Sequence, residues 1–132
     1  MAHLISFSTR KFEPAKEKQN PSHPIAGQSV LQWLIPLLKE NQYQASEPDA
    51  EDWGWFTDVK NDGTSYRVGA SGKPEKLKAE VDWVVKIEKN RNIFDKLFGR
   101  NQFTLDDPLA ALIEKLIRKD AGAKNIFVDK NT

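Results

Sequence analysis

The densest run of groups able to do chemistry in this 132-residue chain lies at residues 47–62. There Glu47, Asp49, Glu51, Asp52, Asp58 and Asp62 are set against Lys60 alone, a local balance of −5 in a chain whose total is +1. Clustered like charge steers encounters and selects charge-complementary surfaces, so the segment reads as a docking surface for a basic partner. Two other readings apply to the same residues: a solvated loop entering a strand, or a carboxylate pair for general acid-base work, for which no nucleophile or histidine stands nearby in sequence. Trp53, Gly54 and Trp55 follow directly. A glycine inside a strand marks a bulge or a close approach by another backbone or ligand. Gly54 therefore makes either a binding slot beside Trp53 or Trp55, or room for a helix side chain or for Trp83 across the sheet.

The remaining chemistry is sparse. His3 and His23 are the only imidazoles and lack the i, i+4 spacing of a helical metal pair; both are expected to be exposed, His3 near a frayed terminus and His23 in an irregular connector. Cysteine is absent, which removes disulfides, thiol nucleophiles, iron-sulfur centres and cysteine-built zinc sites. No Gly-x-Ser-x-Gly elbow, dinucleotide fingerprint or Walker-type loop occurs. The sequence thus assigns no catalytic residue, no metal ligand and no cofactor. Residues 73–100 carry eight cations (Lys73, Lys76, Lys78, Lys86, Lys89, Arg91, Lys96, Arg100) against five acids, with Phe94, Phe98 and Phe103 interleaved. Such texture binds single-stranded nucleic acid when the cations share one face, but the acids dilute it, and Phe94 and Phe98 fit the buried stripe of a helix.

The elements that must position these groups follow from periodicity. Residues 4–8 suit an edge strand, and residues 10–24, with Pro14, Pro21 and Pro24, an irregular connector. Val30, Leu31, Leu34, Leu37 and Leu38 recur at helical spacing, with Pro36 inside the pattern and Trp33 and Ile35 widening the apolar face. From residue 53 the period becomes two: Trp53, Trp55, Thr57 and Val59 on the core side, Gly54, Phe56, Asp58 and Lys60 on the other. Asn61-Asp62-Gly63 turns a hairpin into residues 64–70. After a loop at residues 71–74, Val81, Trp83, Val85 and Ile87 alternate with polar partners and complete a three-strand antiparallel meander. Ile93, Phe94, Leu97 and Phe98 form a short helix ended by Gly99. Leu109, Leu112, Ile113, Leu116 and Ile117 stripe a longer one, capped by Asp106 or Asp107 with Pro108 in its first turn and ended by Gly122. Residues 125–128 suit a last strand.

This pattern gives an α+β fold, a mainly antiparallel sheet packed against amphipathic helices. The organisation expected is an N-terminal strand and connector over residues 1–24, a single domain over 25–128 and a polar tail over 129–132. Neither a secretory signal pattern nor an apolar run of about 20 residues is present, so a cytoplasmic location without membrane contact is expected.

The stretch Glu51-Asp52-Trp53-Gly54-Trp55, with the hairpin to Tyr66-Arg67-Val68-Gly69 and the preceding leucine-rich helix, resembles small uncharacterised bacterial proteins of unknown function across residues 24–122. In size and texture alone the chain is also similar to bacterial immunity and other inhibitory binding proteins. The expected function is a non-enzymatic binding or regulatory protein, docking a protein partner through Glu47, Asp49, Glu51, Asp52, Trp53, Gly54 and Trp55. The alternatives are a small-ligand binder or enzyme with a pocket between sheet and helices using Asp52, Asp58 or Asp82, and a nucleic-acid module on residues 73–100.

Overall fold

A computed structural model describes residues 2–21, 25–73 and 80–130. His23, Pro24, Lys76 and Lys78, all weighed above, lie outside the described residues, as do residue 74 of the expected loop and residues 131–132 of the expected tail. In chain order the elements are β1 (Ala2–Thr9), a 3-10 turn (Pro14–Lys16), α1 (Gln28–Glu40), β2 (Gln44–Ala45), β3 (Asp49–Glu51), β4 (Gly54–Asn61), β5 (Thr64–Lys73), β6 (Val81–Asn90), α2 (Ile93–Leu97), α3 (Pro108–Asp120) and β7 (Lys124–Asp129).

The strands form one sheet in the order β2-β4-β5-β6-β1-β7, with β3 also on β4 and each of these pairings antiparallel. The α+β class and the β4-β5-β6 meander are as the alternation requires. Asp62 and Gly63 both take positive φ (46° and 79°), the two-residue turn whose twist matches a hairpin. β5 runs on to Lys73, so residues 71–73 of the expected loop are strand. β1 is an interior strand, held between β6 and β7 rather than at the edge. Its central position explains why Ile5 and Phe7 are almost wholly buried.

Both long helices cover the same face. Val30, Leu31, Leu34, Leu38 of α1 and Leu109, Ile113, Ile117 of α3 join Ile5, Phe7, Val68, Trp83, Val85 and Ile87 in one core cluster. Alternation along each strand sends the remaining residues (Ser6, Phe56, Arg67, Gly69, Val84, Lys86, Phe127) to the opposite face, which none of the long helices covers. Within α3, Ala110 is buried and Leu112 only partly so, a rotation of the stripe by a fraction of a turn from the one expected.

The N-terminus of each long helix is closed by a carboxylate. The carboxylate of Glu17 accepts from the backbone N–H groups of Gly27, Gln28 and Ser29 and from the Ser29 hydroxyl, capping α1 from the connector. Gly27 sits where a Cβ would lie 2.1 Å from the Ala70 carbonyl oxygen, so the start of α1 is pressed against β5. Asp107 caps α3: one oxygen accepts from the N–H groups of Leu109 (3.0 Å) and Ala110 (3.2 Å), while the other accepts from the Tyr66 hydroxyl at 3.0 Å and lies 3.7 Å from Lys89 Nζ. Burial, with the Asp107 charge added, raises the Tyr66 phenol well above its ordinary pKa, so this hydroxyl stays a donor.

The core assignment of α3 predicts that Ile113→Ala destabilises by about 2–5 kcal/mol, whereas Lys115→Ala changes stability by no more than about 0.5 kcal/mol. Denaturant titrations of the two variants check the face directly.

Candidate functional site

Gly54 decides how the acidic segment meets the sheet. Its φ of 152° is open only to glycine, and a Cβ there would lie 2.4 Å from the Ala70 carbonyl oxygen, so the chain enters β4 by a close backbone approach to β5. It makes no room for a helix side chain or for Trp83; Gly72 does the latter, where a Cβ would meet the Trp83 ring at 2.5 Å. The turn before Gly54 is held by Asn20, whose amide donates to the carbonyls of Glu51 (3.0 Å) and Gly54 (2.9 Å).

The consequence falls on Trp53. Period two extended back across Gly54 puts it on the core side, but the turn interrupts the alternation. Trp53 lies on the uncovered face, 41% exposed, with its six-membered ring occupying the place of the side chain Gly69 lacks: a Cβ there would be 2.3 Å from the ring. Trp55, one residue inside β4, is buried in the core as expected. The two tryptophans thus face opposite sides of the sheet.

β3 brings the acids to the same place. Opposite β4, Asp49 pairs with Phe56 and Glu51 with Gly54, so both carboxylates share the uncovered face with Trp53, while Ala50 turns inward with Trp55. The segment is therefore an edge strand rather than a loop. Glu47 and Asp52 are exposed on either side of it. Arg67 lies on the same face: its guanidinium is 4.1 Å from the Phe56 ring centroid and its Nε 3.4 Å from Asp58 Oδ1. The result is an exposed Trp53 edged by Asp49 and Glu51, with Phe56, the Arg67 stacked on it and Asp58 following along the same face.

The alternatives draw less support. Asp52, Asp58 and Asp82 do not converge: Asp58 pairs with Arg67, Asp82 accepts from Ser8 Oγ at 2.6 Å between β6 and β1, and Asp52 sits in the turn before β4. The described cations of residues 73–100 are likewise dispersed. Lys86 is on the uncovered face beside Glu88 (2.6 Å), Lys89 points into the Asp107 cluster, and Arg91 is committed to backbone carbonyls at residues 95 and 100. Among the described residues no three His, Asp or Glu side chains form a set that could hold a metal ion.

Two expectations are overturned outright. His3 is 1% exposed, stacked on Phe103 at 4.2 Å, because β1 is interior. Burial and then Lys130 push its imidazole below the ordinary value of 6.5, with Asp107 and Glu114 offsetting in part. Second, Ile93, Phe94, Leu97 and Phe98 of α2 are not a buried stripe; all four are exposed. Sequence reading also passed over Asn20, Gly69 and Arg67. Of these, Gly69 carried a signal, an interior strand glycine within reach of an aromatic.

Comparison of the chain with protein-family models, with curated proteins and with solved structures returns no match. The reading of the site therefore rests on its own geometry.

Gly69→Ala should drive the Trp53 ring off the sheet. Because that ring is at the surface and can swing away, stability should change by no more than about 1 kcal/mol, while Trp53 becomes more open to acrylamide quenching. For His3, the unfolded chain binds the extra proton more readily than the folded one. Stability should thus be full above about pH 6.5 and fall as the pH drops below it. The loss between pH 7.5 and 5.5 should be smaller in His3→Phe, which keeps the stack on Phe103, as thermal melts of both proteins would show.

Proposed function

We propose that the chain is a non-enzymatic binding protein that holds a protein partner on the uncovered face of its sheet, around Trp53. The observation that carries this reading is the position of Trp53: a large aromatic laid on bare backbone at Gly69, half open to solvent, with Asp49 and Glu51 beside it. Interfaces draw most of their energy from such anchors, set in a polar rim that fixes orientation and excludes water. The rim here carries Glu47, Asp49, Glu51 and Asp52, while Asp58 is paired with Arg67, and Lys86, opposite Gly69, is paired with Glu88, so its balance is anionic. The partner surface it suits is apolar and cationic, reached in a charge-steered encounter.

A regulatory or inhibitory role, in which the chain covers a basic surface of another protein, fits that charge pattern. A cytoplasmic setting fits a chain without cysteine. Among the described residues no helix is long and apolar enough to cross a membrane.

A synthetic amphipathic helix of Lys, Leu and Phe provides a defined probe, and the same peptide with Glu for Lys the control. Titration into labelled protein should shift the NMR signals of the Trp53 indole, Gly69 and residues 49–51. Trp53→Ala should weaken binding at least ~30-fold, the loss expected of a hot-spot residue. Equal binding by the Trp53→Ala variant, or equal binding of the Glu peptide, would refute the reading.

A further inference from the structure

The most exposed apolar surface among the described residues belongs to α2. Ile93, Phe94, Leu97 and Phe98 are between 61% and 71% exposed, at helix spacings that place them on one broad side. A helix of five residues has no intrinsic stability. This one is held instead by polar clamps: a reciprocal capping box between Asn92 and Asp95, and Arg91 donating to the carbonyls of Asp95 and Arg100, both at 3.1 Å. Gly99, at φ 66°, ends it. Its base is fixed by Lys89, which donates to the Gln102 carbonyl at 3.2 Å and approaches the buried Asp107. The arm is thus ordered without packing its apolar side, so little ordering cost remains to be met on binding.

Its charge is the reverse of the Trp53 site. Lys89 is spent on the buried Asp107, which leaves Arg91, Lys96 and Arg100 against Asp95 on the arm itself, a balance of +2. An apolar, cationic projection is the partner surface that the site around Trp53 suits. The two cannot meet within one molecule. β4 runs from Gly54, beside Trp53, to Asn61, and the register Ser65 to Asn90 sets the base of the arm at that far end. Seven residue steps at ~3.4 Å separate the ends by roughly 24 Å.

Resting on the function proposed above, we infer that the α2 arm of one copy docks on the Trp53 site of a second copy of this chain. Unlike surfaces at opposite ends make the contact heterologous, so it repeats head to tail and closes into a ring or extends as a filament.

Two variants divide the interface. Phe94→Ser/Phe98→Ser removes the arm and leaves the site; Asp49→Lys/Glu51→Lys reverses the site and leaves the arm. All four positions are at the surface or its edge, and circular dichroism verifies folding. In sedimentation at low ionic strength, the wild type should form concentration-dependent species above one chain mass that dissociate as salt is raised. Each variant alone should remain at one chain mass. An equimolar mixture of the two should form a species of two chain masses and stop there, since it contains one intact arm and one intact site per pair. A wild type that stays monomeric at every concentration, or a mixture that stays monomeric, would overturn the inference. So would co-sedimentation with phosphatidylglycerol vesicles that the arm variant loses, without heterodimer, which would make α2 a lipid contact. If the mixture fails while the Lys-Leu-Phe peptide still binds at Trp53, the proposed function stands and this partner is wrong; if both fail, both fall.

Discussion

The contact of the Trp53 ring with the bare backbone of Gly69 is the constraint on which the surface of this protein depends. It requires a glycine at 69, because a Cβ there would come within 2.3 Å of the ring, and a glycine at 54, because the turn that lifts Trp53 out of the strand alternation has a φ of 152°. It also requires the connector to reach across and hold that turn, which Asn20 does through two carbonyls. Three positions far apart in sequence therefore cooperate to set one aromatic side chain outside the core. A tryptophan placed there simply for stability would gain more by burial, as Trp55 and Trp83 do.

The rest of the fold is consistent with a sheet covered on one side. Both long helices draw on a single core, and buried Asp107 fastens the start of α3 to β5 through Tyr66 while approaching Lys89 at the end of β6. A buried carboxylate with hydrogen bonds from two backbone amides and a hydroxyl is satisfied rather than poised for chemistry. The same residues anchor the chain where it returns from α2, so the base of the arm is tied to the core while its tip is bare. Attachment at the base and exposure at the tip are separate properties, set by different residues.

Much of the scaffold was legible in the sequence because it depends on local rules. Asn61-Asp62-Gly63 announces a two-residue turn, and the alternation from Val81 to Ile87 announces a strand with one buried side. Capping of α3 by Asp107 and its first-turn Pro108 follow from backbone donors alone. What local rules could not supply is partnership. The interior position of β1, and with it the burial of His3, arises from pairing with β6 some eighty residues later and with β7 later still. The helical spacing of Ile93, Phe94, Leu97 and Phe98 shows an apolar side but not what it faces, and here it faces water. For the site, the acidic run and its tryptophans marked the right segment, but strict alternation was carried one residue too far across Gly54 and put Trp53 on the wrong side of the sheet. Gly69 and Asn20 acquire their roles only from contacts across the fold.

The lack of cysteine in the chain makes the central claim, that the Trp53 face receives an apolar and cationic element from another chain, open to a direct distance measurement. Lys96→Cys places a single nitroxide label on the exposed arm without removing its apolar residues. Mixed with nitrogen-15-enriched wild type, which has no cysteine to take a label, the labelled variant should broaden the Trp53 indole signal and the amides of residues 49–51 and 69 in the enriched copies, and the effect should fade as salt is raised. Broadening confined to other surfaces, or none at any concentration, would contradict the account in which that element is the α2 arm of a second copy.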